Sequence, residues 1–374
     1  MSPLLPTQLV GRRNNRPAWK DLGPLAACSL TLLTCLGLSE PQLDQKAAPE
    51  TPESTQEAEI AQWPRLSLCL QDKFLQRDLT GLDVRNDAWC ISQHALGTPG
   101  HLPDHVKNDD EALRREIQKF IDMPVSEIRT AFGRYLANHP QLSRATTRTI
   151  IIDIERPVHP RNLWKLMDGP DHDQITPIFS DLVQAFARRF RVVRDHFPNA
   201  QLSVFGIGMP DSQGRSQGKY QARLNAEIIA TKMGLLEDVN AISPALYERF
   251  GPSDRAFKKR DQATIECLRN ALAITQASDR PLDILILLSL SIFNGMADEN
   301  KKAADLGGIA ERLDLLGEMG VKRVIFWNGD ETITKTGIGV VERLTQLRAL
   351  ERSREHDRPL SNSEQDKPAQ EKTD

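Results

Sequence analysis

The chain has 374 residues, with 48 Lys and Arg against 51 Asp and Glu, and 39% of its residues are hydrophobic. This length allows one large domain or two ordinary ones, with tails at either end. The near-balanced charge argues against a nucleic-acid-binding protein, because neutralising phosphates requires a concentrated excess of Lys and Arg that this composition lacks.

The N-terminal segment has the features of an export signal. Basic residues at 12–20 precede an apolar stretch at 22–38. This stretch, roughly 17 residues, is long for the core of a cleaved signal and short for a membrane span. We expect residues 1–38 to be a signal peptide or an N-terminal membrane anchor. The protein is then exported, as a secreted, periplasmic or membrane-anchored protein.

Two polar segments flank the body of the chain. Residues 39–62 are rich in Pro, Glu, Gln, Ser and Thr, and residues 351–374 are polar in the same way. Such compositions bury too little apolar surface to offset the entropy lost on ordering. We expect a disordered linker at 39–62, one folded domain over 63–350 and a disordered tail at 351–374.

The folded domain contains three cysteines, Cys69, Cys90 and Cys267. They include no Cys-x-x-Cys pair, so their spacing matches neither a zinc site nor a disulfide framework. At most one bridge fits the spacing, between Cys69 and Cys90.

Apolar stretches with strand character recur along this domain. They lie at residues 65–71, 79–85, 149–155, 202–208, 239–247, 282–293 and 321–328. Near-continuous apolar stretches are typical of strands buried on both faces of a parallel sheet.

Amphipathic helical segments separate these strands. Thr176 and Pro177 supply an N-cap and a first-turn proline for one of them, and Gly234 and Gly320 end two others. Repeated alternation of strand and helix predicts parallel strands joined by crossover helices. We expect an α/β fold of the (β/α) TIM-barrel type. An open doubly wound sheet is the alternative, but no glycine-rich phosphate loop follows an early strand.

Two carboxylates end the third predicted strand, TIIIDIE. Side chains alternate along a strand, so Asp153 and Glu155 share one face and the isoleucines between them share the other. If the isoleucines pack on helices, the carboxylates point into the barrel mouth, where catalytic groups of such barrels sit. Repulsion between them raises the pKa of the more buried member. We expect this member to be Glu155, which would then donate a proton to a leaving oxygen.

The spacing of the pair also indicates a mechanism. Ordinary retaining glycosidases place acid and nucleophile on opposite sides of the sugar, about 5–5.5 Å apart. Two carboxylates on one strand fit that arrangement poorly. They fit substrate assistance better, in which a 2-acetamido oxygen is the nucleophile and the neighbouring Asp153 orients the acetamido group.

Three other interpretations of the pair remain open. A structural role would bond the carboxylates to loop amides or pair them with Arg156 and Arg161. A metal-assisted enzyme would use Asp153 and Glu155 as ligands, with His159 or His172, although no His-x-His spacing supports it. A third possibility is a glycan-binding cell-envelope protein without turnover. We expect no metal and no cofactor.

Three motifs resemble the hyaluronidases, a family of glycoside hydrolases. IIDIERPVHPRNLW at 151–164 is similar to the family's Asp-x-Glu strand end with its following Arg-Pro and Asn-Trp segments. SPALY at 243–247 resembles its Pro-Ser-x-Tyr pattern, and GGIAERLDLLGEMGVKRVIFWNG at 307–329 resembles its final helix and Leu-Trp-Gly strand. The family's aromatic and basic residues on the first two strands have no match at 65–71 and 79–85.

The resemblance implies a distorted barrel of seven strands and a role for individual residues. Glu155 resembles the general acid, Asp153 the carboxylate that orients the acetamido group, and Tyr247 its hydrogen-bonding partner. The expected substrate-binding residues adjoin the same motifs: Tyr247, Trp327, Arg156 and Asn328. Tyr247 and Trp327 also suit a purely structural role as core aromatics. The sequence thus predicts a glycoside hydrolase acting on an N-acetylhexosamine-containing polysaccharide by a substrate-assisted retaining mechanism.

Overall fold

The computed structural model describes residues 66–71, 79–98, 110–142, 148–169, 172–209, 217–247, 260–292, 303–327 and 339–357. All of them fall within one compact unit, Ile60–Asp374. The predicted export signal, the linker at 39–62 and Asn328 lie outside the described residues. None of the helices in the described ranges combines the length and apolarity needed to cross a membrane.

Seven parallel strands close into a barrel. In chain order, β1 to β7 are Ser67–Gln71, Val84–Ser92, Thr149–Asp153, Gln201–Phe205, Ala241–Ser243, Asp283–Leu288 and Arg323–Trp327. Each strand pairs with the next, and β1 pairs with β7 so that Ser67 lies opposite Arg323. The predicted (β/α) barrel with seven strands is confirmed, and the open sheet is excluded.

Helices follow the strands around the barrel. In the described ranges, α1 to α7 are Asp110–Asp122, Val125–Ala137, Pro177–His196, Gln217–Lys232, Arg260–Gln276, Leu306–Glu318 and Val340–Asp357. Two short 3₁₀ helices, Gln93–Leu96 and Pro160–Leu166, follow β2 and β3. The expected cap of α3 is present, because the Thr176 hydroxyl accepts a hydrogen bond from the Phe179 amide at 3.2 Å.

The second strand differs from the prediction. The residues predicted as its start form a turn, in which Gly81 and Asp83 have φ of 79° and 51°. Left-handed backbone of this kind cannot continue a strand ladder. The strand instead occupies Val84–Ser92, which begins with polar residues at 85–87. The prediction missed this part of the strand because it relied on apolar residues.

The remaining predicted strands are present but shorter. β3 ends at Asp153, two residues before Glu155. β4 ends at Phe205, because Gly206 and Gly208 have φ of 78° and 77° and turn the chain away from the sheet. The strands therefore end earlier than predicted at the end of the barrel where the site is expected.

The C-terminal helix is longer than expected. α7 runs to Asp357, so the predicted disordered tail at 351–374 begins inside a helix. Ion pairs accompany this extension: Arg348 with Glu351 at 2.8 Å, and Arg354 with Asp314 of α6 at 3.0 Å. Ion pairs therefore help to order residues 351–357, which we expected to be disordered because few of them are apolar.

The face of β3 that carries the carboxylates lines the barrel interior, as predicted. Ile151 packs there with buried residues of the other strands, such as Ala241 and Ile325. Ile150, Ile152 and Ile154 face outward and belong to the core under the helices. The three described cysteines are free thiols, so the bridge between Cys69 and Cys90 is not formed.

Candidate active site

The carboxylate pair lies at the C-terminal mouth of the barrel. Asp153 is the last residue of β3 and pairs in register with Ser92, the last residue of β2. Glu155 follows two residues later, where the chain has left the strand. The two carboxylates thus occupy the end of the barrel at which parallel strands present catalytic groups.

A buried glutamine holds the loop that carries Glu155. The Gln93 side-chain oxygen accepts hydrogen bonds from the amides of Glu155 and Arg156, at 2.7 and 2.8 Å. Gln93 is 6% exposed and begins the 3₁₀ helix after β2. The amides of Glu155 and Arg156 therefore bond to Gln93 rather than to the carboxylates.

Asp153, and not Glu155, is the more buried carboxyl. Burial raises the pKa of Asp153 to about 7, Glu155 adds to the increase, and Arg161 opposes it. Glu155 is exposed to solvent. The prediction that Glu155 is the more buried carboxyl is wrong. β3 ends at Asp153, which leaves Glu155 beyond the rim of the barrel.

One oxygen of Asp153 has no partner among the described residues. Its Oδ1 is buried and accepts no hydrogen bond from them. An unpaired buried carboxyl oxygen costs about 1–3 kcal/mol, unless a ligand satisfies it or the group is protonated. A donor on a bound molecule would remove this cost.

Three aromatic rings form a wall beside the carboxylates. Tyr247 and Trp327 are half-buried, with ring centroids 5.4 Å apart. Phe205, which is 6% exposed, packs edge-on against Trp327 at 5.5 Å. The structure thus brings together two of the predicted substrate-binding residues, Tyr247 and Trp327. Phe205, at the end of β4, is a member of the wall that the sequence analysis missed.

The Tyr247 hydroxyl lies close to the carboxylates. Burial raises its pKa well above the ordinary value, and Asp153, Cys90 and Glu155 add to the increase. Tyr247 therefore stays protonated at neutral pH. A protonated phenol can donate a hydrogen bond to a ligand oxygen.

Cys90 is a further member of the site that the sequence analysis did not assign. Burial raises the pKa of its thiol well above the ordinary value, and the charges of Asp153 and Glu155 raise it further. A thiol held protonated in this way is a poor nucleophile. Cys90 was missed because the second strand was predicted at 79–85, which left residue 90 outside any strand.

The other two predicted substrate-binding residues have different outcomes. Arg156 is half-buried, its amide bonds to Gln93, and its charge helps to lower the pKa of the buried His159. Arg156 is thus part of the loop that carries Glu155. Asn328 is outside the described residues, so its role stays a prediction.

Histidine ligands for a metal are not assembled in the described parts of the chain, where no three His, Cys, Asp or Glu side chains converge. His159 is 3% exposed, and its Nδ1 accepts a hydrogen bond from the Arg161 amide at 3.1 Å. The ring of His172 packs edge-on against Trp164 at 5.0 Å. Each of these histidines thus has a local structural contact.

Comparisons with known proteins found only distant similarities. No protein-family model and no curated protein matches the sequence. Bee venom hyaluronidase in complex with a hyaluronic acid tetramer is 14% identical, with a TM-score of 0.45, over 62% of this chain and 74% of that one. A GH18 chitinase from Pseudoalteromonas aurantia is 9% identical, with a TM-score of 0.38, over 70% and 76%.

Xylanase B from Clostridium stercorarium is also similar, at 12% identity and a TM-score of 0.35 over 75% of this chain and 95% of that one. The structures to which this chain is distantly similar thus include a hyaluronidase, a chitinase and a xylanase. At these identities the likeness specifies no substrate and no mechanism. Both must be argued from the residues of this chain.

Proposed function

We propose that the protein is a glycoside hydrolase that cleaves an N-acetylhexosamine-containing polysaccharide with retention of configuration. One observation carries the proposal: Asp153 and Glu155 converge with Tyr247 at the barrel mouth, and Asp153 keeps one oxygen unpaired there. This oxygen suits the N–H of a 2-acetamido group. In the proposed mechanism the substrate's acetamido oxygen, and not a second carboxylate, is the nucleophile.

The aromatic wall suits the apolar face of a sugar ring. Trp327 and Tyr247 are only half-buried, so part of each ring remains available to a ligand. Aromatic rings with a polar edge bind amphipathic ligands well, because they combine a large apolar surface with a hydrogen-bonding group. A sugar held against this wall would present its 2-substituent to Tyr247 and Asp153.

The two carboxyls can share one proton in the free protein. Because the pKa of Asp153 is about 7, this carboxyl retains the proton near neutral pH. An acetamido N–H that donates to Asp153 favours the ionised form. Glu155, the exposed member of the pair, is the group that we place beside the glycosidic oxygen as the proton donor.

The first chemical step breaks the glycosidic bond. Glu155 donates its proton to the leaving oxygen while the acetamido carbonyl oxygen attacks the anomeric carbon, forming a cyclic oxazolinium ion. Ionised Asp153 stabilises the positive charge that develops on the acetamido nitrogen, and Tyr247 orients the group. The leaving group departs as an alcohol.

The second step restores the protein. Glu155, now ionised, accepts a proton from a water molecule whose oxygen attacks the anomeric carbon and opens the oxazolinium ring. Two inversions give a product of retained configuration. The pair again carries one proton.

A panel of glycans tests the proposal. Release of reducing ends from glycosaminoglycan, chitin and peptidoglycan fragments is measured with and without a chelator. We expect release from at least one N-acetylated glycan, unaffected by the chelator. Loss of activity with the chelator would favour the metal-assisted enzyme, and binding without release would favour the glycan-binding protein.

We further propose that the protein acts outside the cytoplasm, either free or attached to a membrane through residues 1–38. The basic and then apolar sequence of this segment supports export. Fractionation of the native host tests it. Recovery only from the cytosol, with an intact N-terminus, would contradict the proposal.

A further inference from the structure

A cavity of about 270 Å³ lies between α1 and the end of the 3₁₀ helix that follows β2. Thr98 borders it beside the 3₁₀ helix, and Pro157 borders it from the loop after β3. Residues of α1, and one that directly follows it, supply most of the remaining lining: Glu116, Lys119, Phe120 and Met123. Small-molecule pockets begin at about 300 Å³, so a cavity of this size suits a ligand with a single six-membered ring.

The cavity is separate from the barrel mouth. None of the described residues that line it belongs to the barrel interior, against which Tyr247 and Trp327 pack. Phe120 belongs instead to the core under the helices, and Met123 packs against that core. A molecule bound here would therefore not occupy the candidate active site.

One buried hydroxyl in the lining has no partner among the described residues. Thr98 is 5% exposed, and its Oγ1 makes no hydrogen bond with any of them. The Thr98 amide, in contrast, donates to the Gln93 carbonyl at 3.1 Å, which fixes the backbone at this point. An unpaired buried hydroxyl is unfavourable, and a ligand hydroxyl, which can both donate and accept, would satisfy it.

An ion pair supplies the other polar groups of the lining. The Lys119 Nζ donates to the Glu116 Oε1 at 2.6 Å, and the Lys119 side chain is 71% exposed. The pair has no net charge and places a hydrogen-bond donor beside an acceptor. Two neighbouring hydroxyls of a ligand can bond to such a pair, one to each member. A charged ligand would be repelled by one of the two, so the pair favours a neutral ligand.

The rest of the cavity is apolar. Phe120, Met123 and Pro157 present carbon and sulfur atoms, and Gly97 presents no side chain. Gly97 has a φ of 79°, and an added Cβ would lie 2.8 Å from the Met123 sulfur, so the two segments touch where they border the cavity. Apolar walls with a few placed polar groups are typical of ligand sites. A sugar ring matches this combination, because it has a face of C–H groups and an edge of hydroxyls.

We propose that this cavity is a second binding site, apart from the barrel mouth, for a neutral sugar ring. The Thr98 hydroxyl bonds to one hydroxyl of the ring, and Glu116 and Lys119 bond to two others. The C–H face of the ring lies against Met123 and Pro157. The inference goes beyond the proposed function, since binding at this site requires no hydrolysis.

The test is NMR of the methionine methyl groups in the full chain, with glucose as the probe. Met123 lines the cavity and Met209 belongs to the barrel interior, so their methyl signals report on different sites. Met123→Leu and Met209→Leu identify the two signals. We expect glucose to shift the Met123 signal with a Kd of about 1–10 mM, the affinity typical of a ligand of its size. Trp327→Ala, at the mouth, should leave this Kd unchanged.

A shift confined to Met209, or a Met123 shift that Trp327→Ala abolishes, would overturn the inference. Either result would place the glucose at the barrel mouth.

Two variants test the polar groups. Thr98→Val keeps the shape of the side chain and removes the hydroxyl, and it should fold at least as well as wild type because that hydroxyl is unpaired. We expect its Kd for glucose to rise by about two- to tenfold, the value of one hydrogen bond. Glu116→Ala should raise the Kd in the same way. The matched controls are Thr345→Val and Glu111→Ala, both at exposed positions. An unchanged Kd in Thr98→Val, or an equal rise in the controls, would contradict the proposed site.

A comparison of three probes needs only the wild-type chain. Glucose, cyclohexanol and cyclohexanecarboxylate each have one six-membered ring, but only glucose carries several hydroxyls without a net charge. We expect glucose to shift the Met123 signal at concentrations at which the other two do not. Equal binding of cyclohexanol would indicate an unselective apolar cavity, and tighter binding of the carboxylate would indicate an anion site. Either result would overturn the inference.

Discussion

Gln93 accepts a hydrogen bond from the backbone amide of Glu155 at 2.7 Å. The bond joins the end of β2 to the loop after β3, across 62 residues of sequence. It fixes the height at which Glu155 stands above the barrel. The position of the proposed acid therefore depends on a side chain that directly follows another strand.

The first prediction concerns this bond. Gln93→Ala leaves two amides, those of Glu155 and Arg156, without their acceptor, and we expect the free energy of unfolding to fall by about 1–3 kcal/mol. Turnover should fall by roughly tenfold or more, because a small misplacement of an acid is costly. Urea unfolding and initial rates measure both. Exposed Gln118→Ala is the control, and equal effects of the two variants would contradict the role of Gln93.

The second prediction concerns proton donation. Glu155→Gln preserves the shape of the side chain but removes the proton, so we expect turnover to fall by about 10²–10⁴-fold. Glycan binding and the unfolding midpoint should stay near wild type, since Glu155 is exposed. The solvent-exposed Glu111 on α1 provides the control variant, Glu111→Gln. Near-full turnover by Glu155→Gln would refute its assignment as the acid.

The third prediction is the direction of the pH dependence. The free protein needs one proton on the carboxylate pair, and the pKa of Asp153 is about 7. We therefore expect kcat/KM to fall as the pH rises through about 7. Carboxylate metal ligands would require the opposite, because they bind in the ionised form. An increase in kcat/KM from pH 6 to pH 8 would exclude the proposed proton transfer.

The fourth prediction concerns stability. The pKa of Asp153 is raised from 3.8 to about 7 on folding, so its contribution to stability is greatest below pH 3.8 and is lost as the pH rises through about 7. Asp153→Asn removes the buried charge. We expect this variant to be more stable than wild type by roughly 1–3 kcal/mol at pH 8 and equal to it near pH 3.5.

Urea unfolding at the two pH values measures this difference. Asp279→Asn, on an exposed turn, is the control and should show no such dependence. If Asp153→Asn were as stable as wild type at both pH values, burial of the Asp153 charge would be disproved.

Local signals predicted much of the fold. The Thr176 cap and the outward isoleucines of β3 depend on neighbours within a few residues, and both appear as expected. The number of strands followed from the alternation of strand and helix. β2 was predicted too early in the chain because its polar start at 85–87 has no hydrophobic pattern. For this reason neither Cys90 nor Gln93 was assigned to the site.

The relative burial of the carboxyls could not be predicted in the same way. The burial depends on where β3 leaves the barrel, and the charge that opposes the increase in the pKa of Asp153 belongs to Arg161, which lies on a separate 3₁₀ helix. The contact between Glu227 and Gly208 joins a helix to a turn 19 residues away. Neither the charge of Arg161 nor the contact of Glu227 can be predicted from sequence periodicity. Periodicity indicates which face of a helix or strand is buried, but not which residues contact that face.

The most direct test of the central claim compares two substrates of the wild-type protein. The substrates are oligosaccharides of the same length and linkage, one with 2-acetamido groups and the other with 2-hydroxyl groups. Because the acetamido oxygen is the proposed nucleophile, we expect release of reducing ends from the first and none from the second. Hydrolysis of both at similar rates would contradict substrate assistance and the role of Asp153 in it.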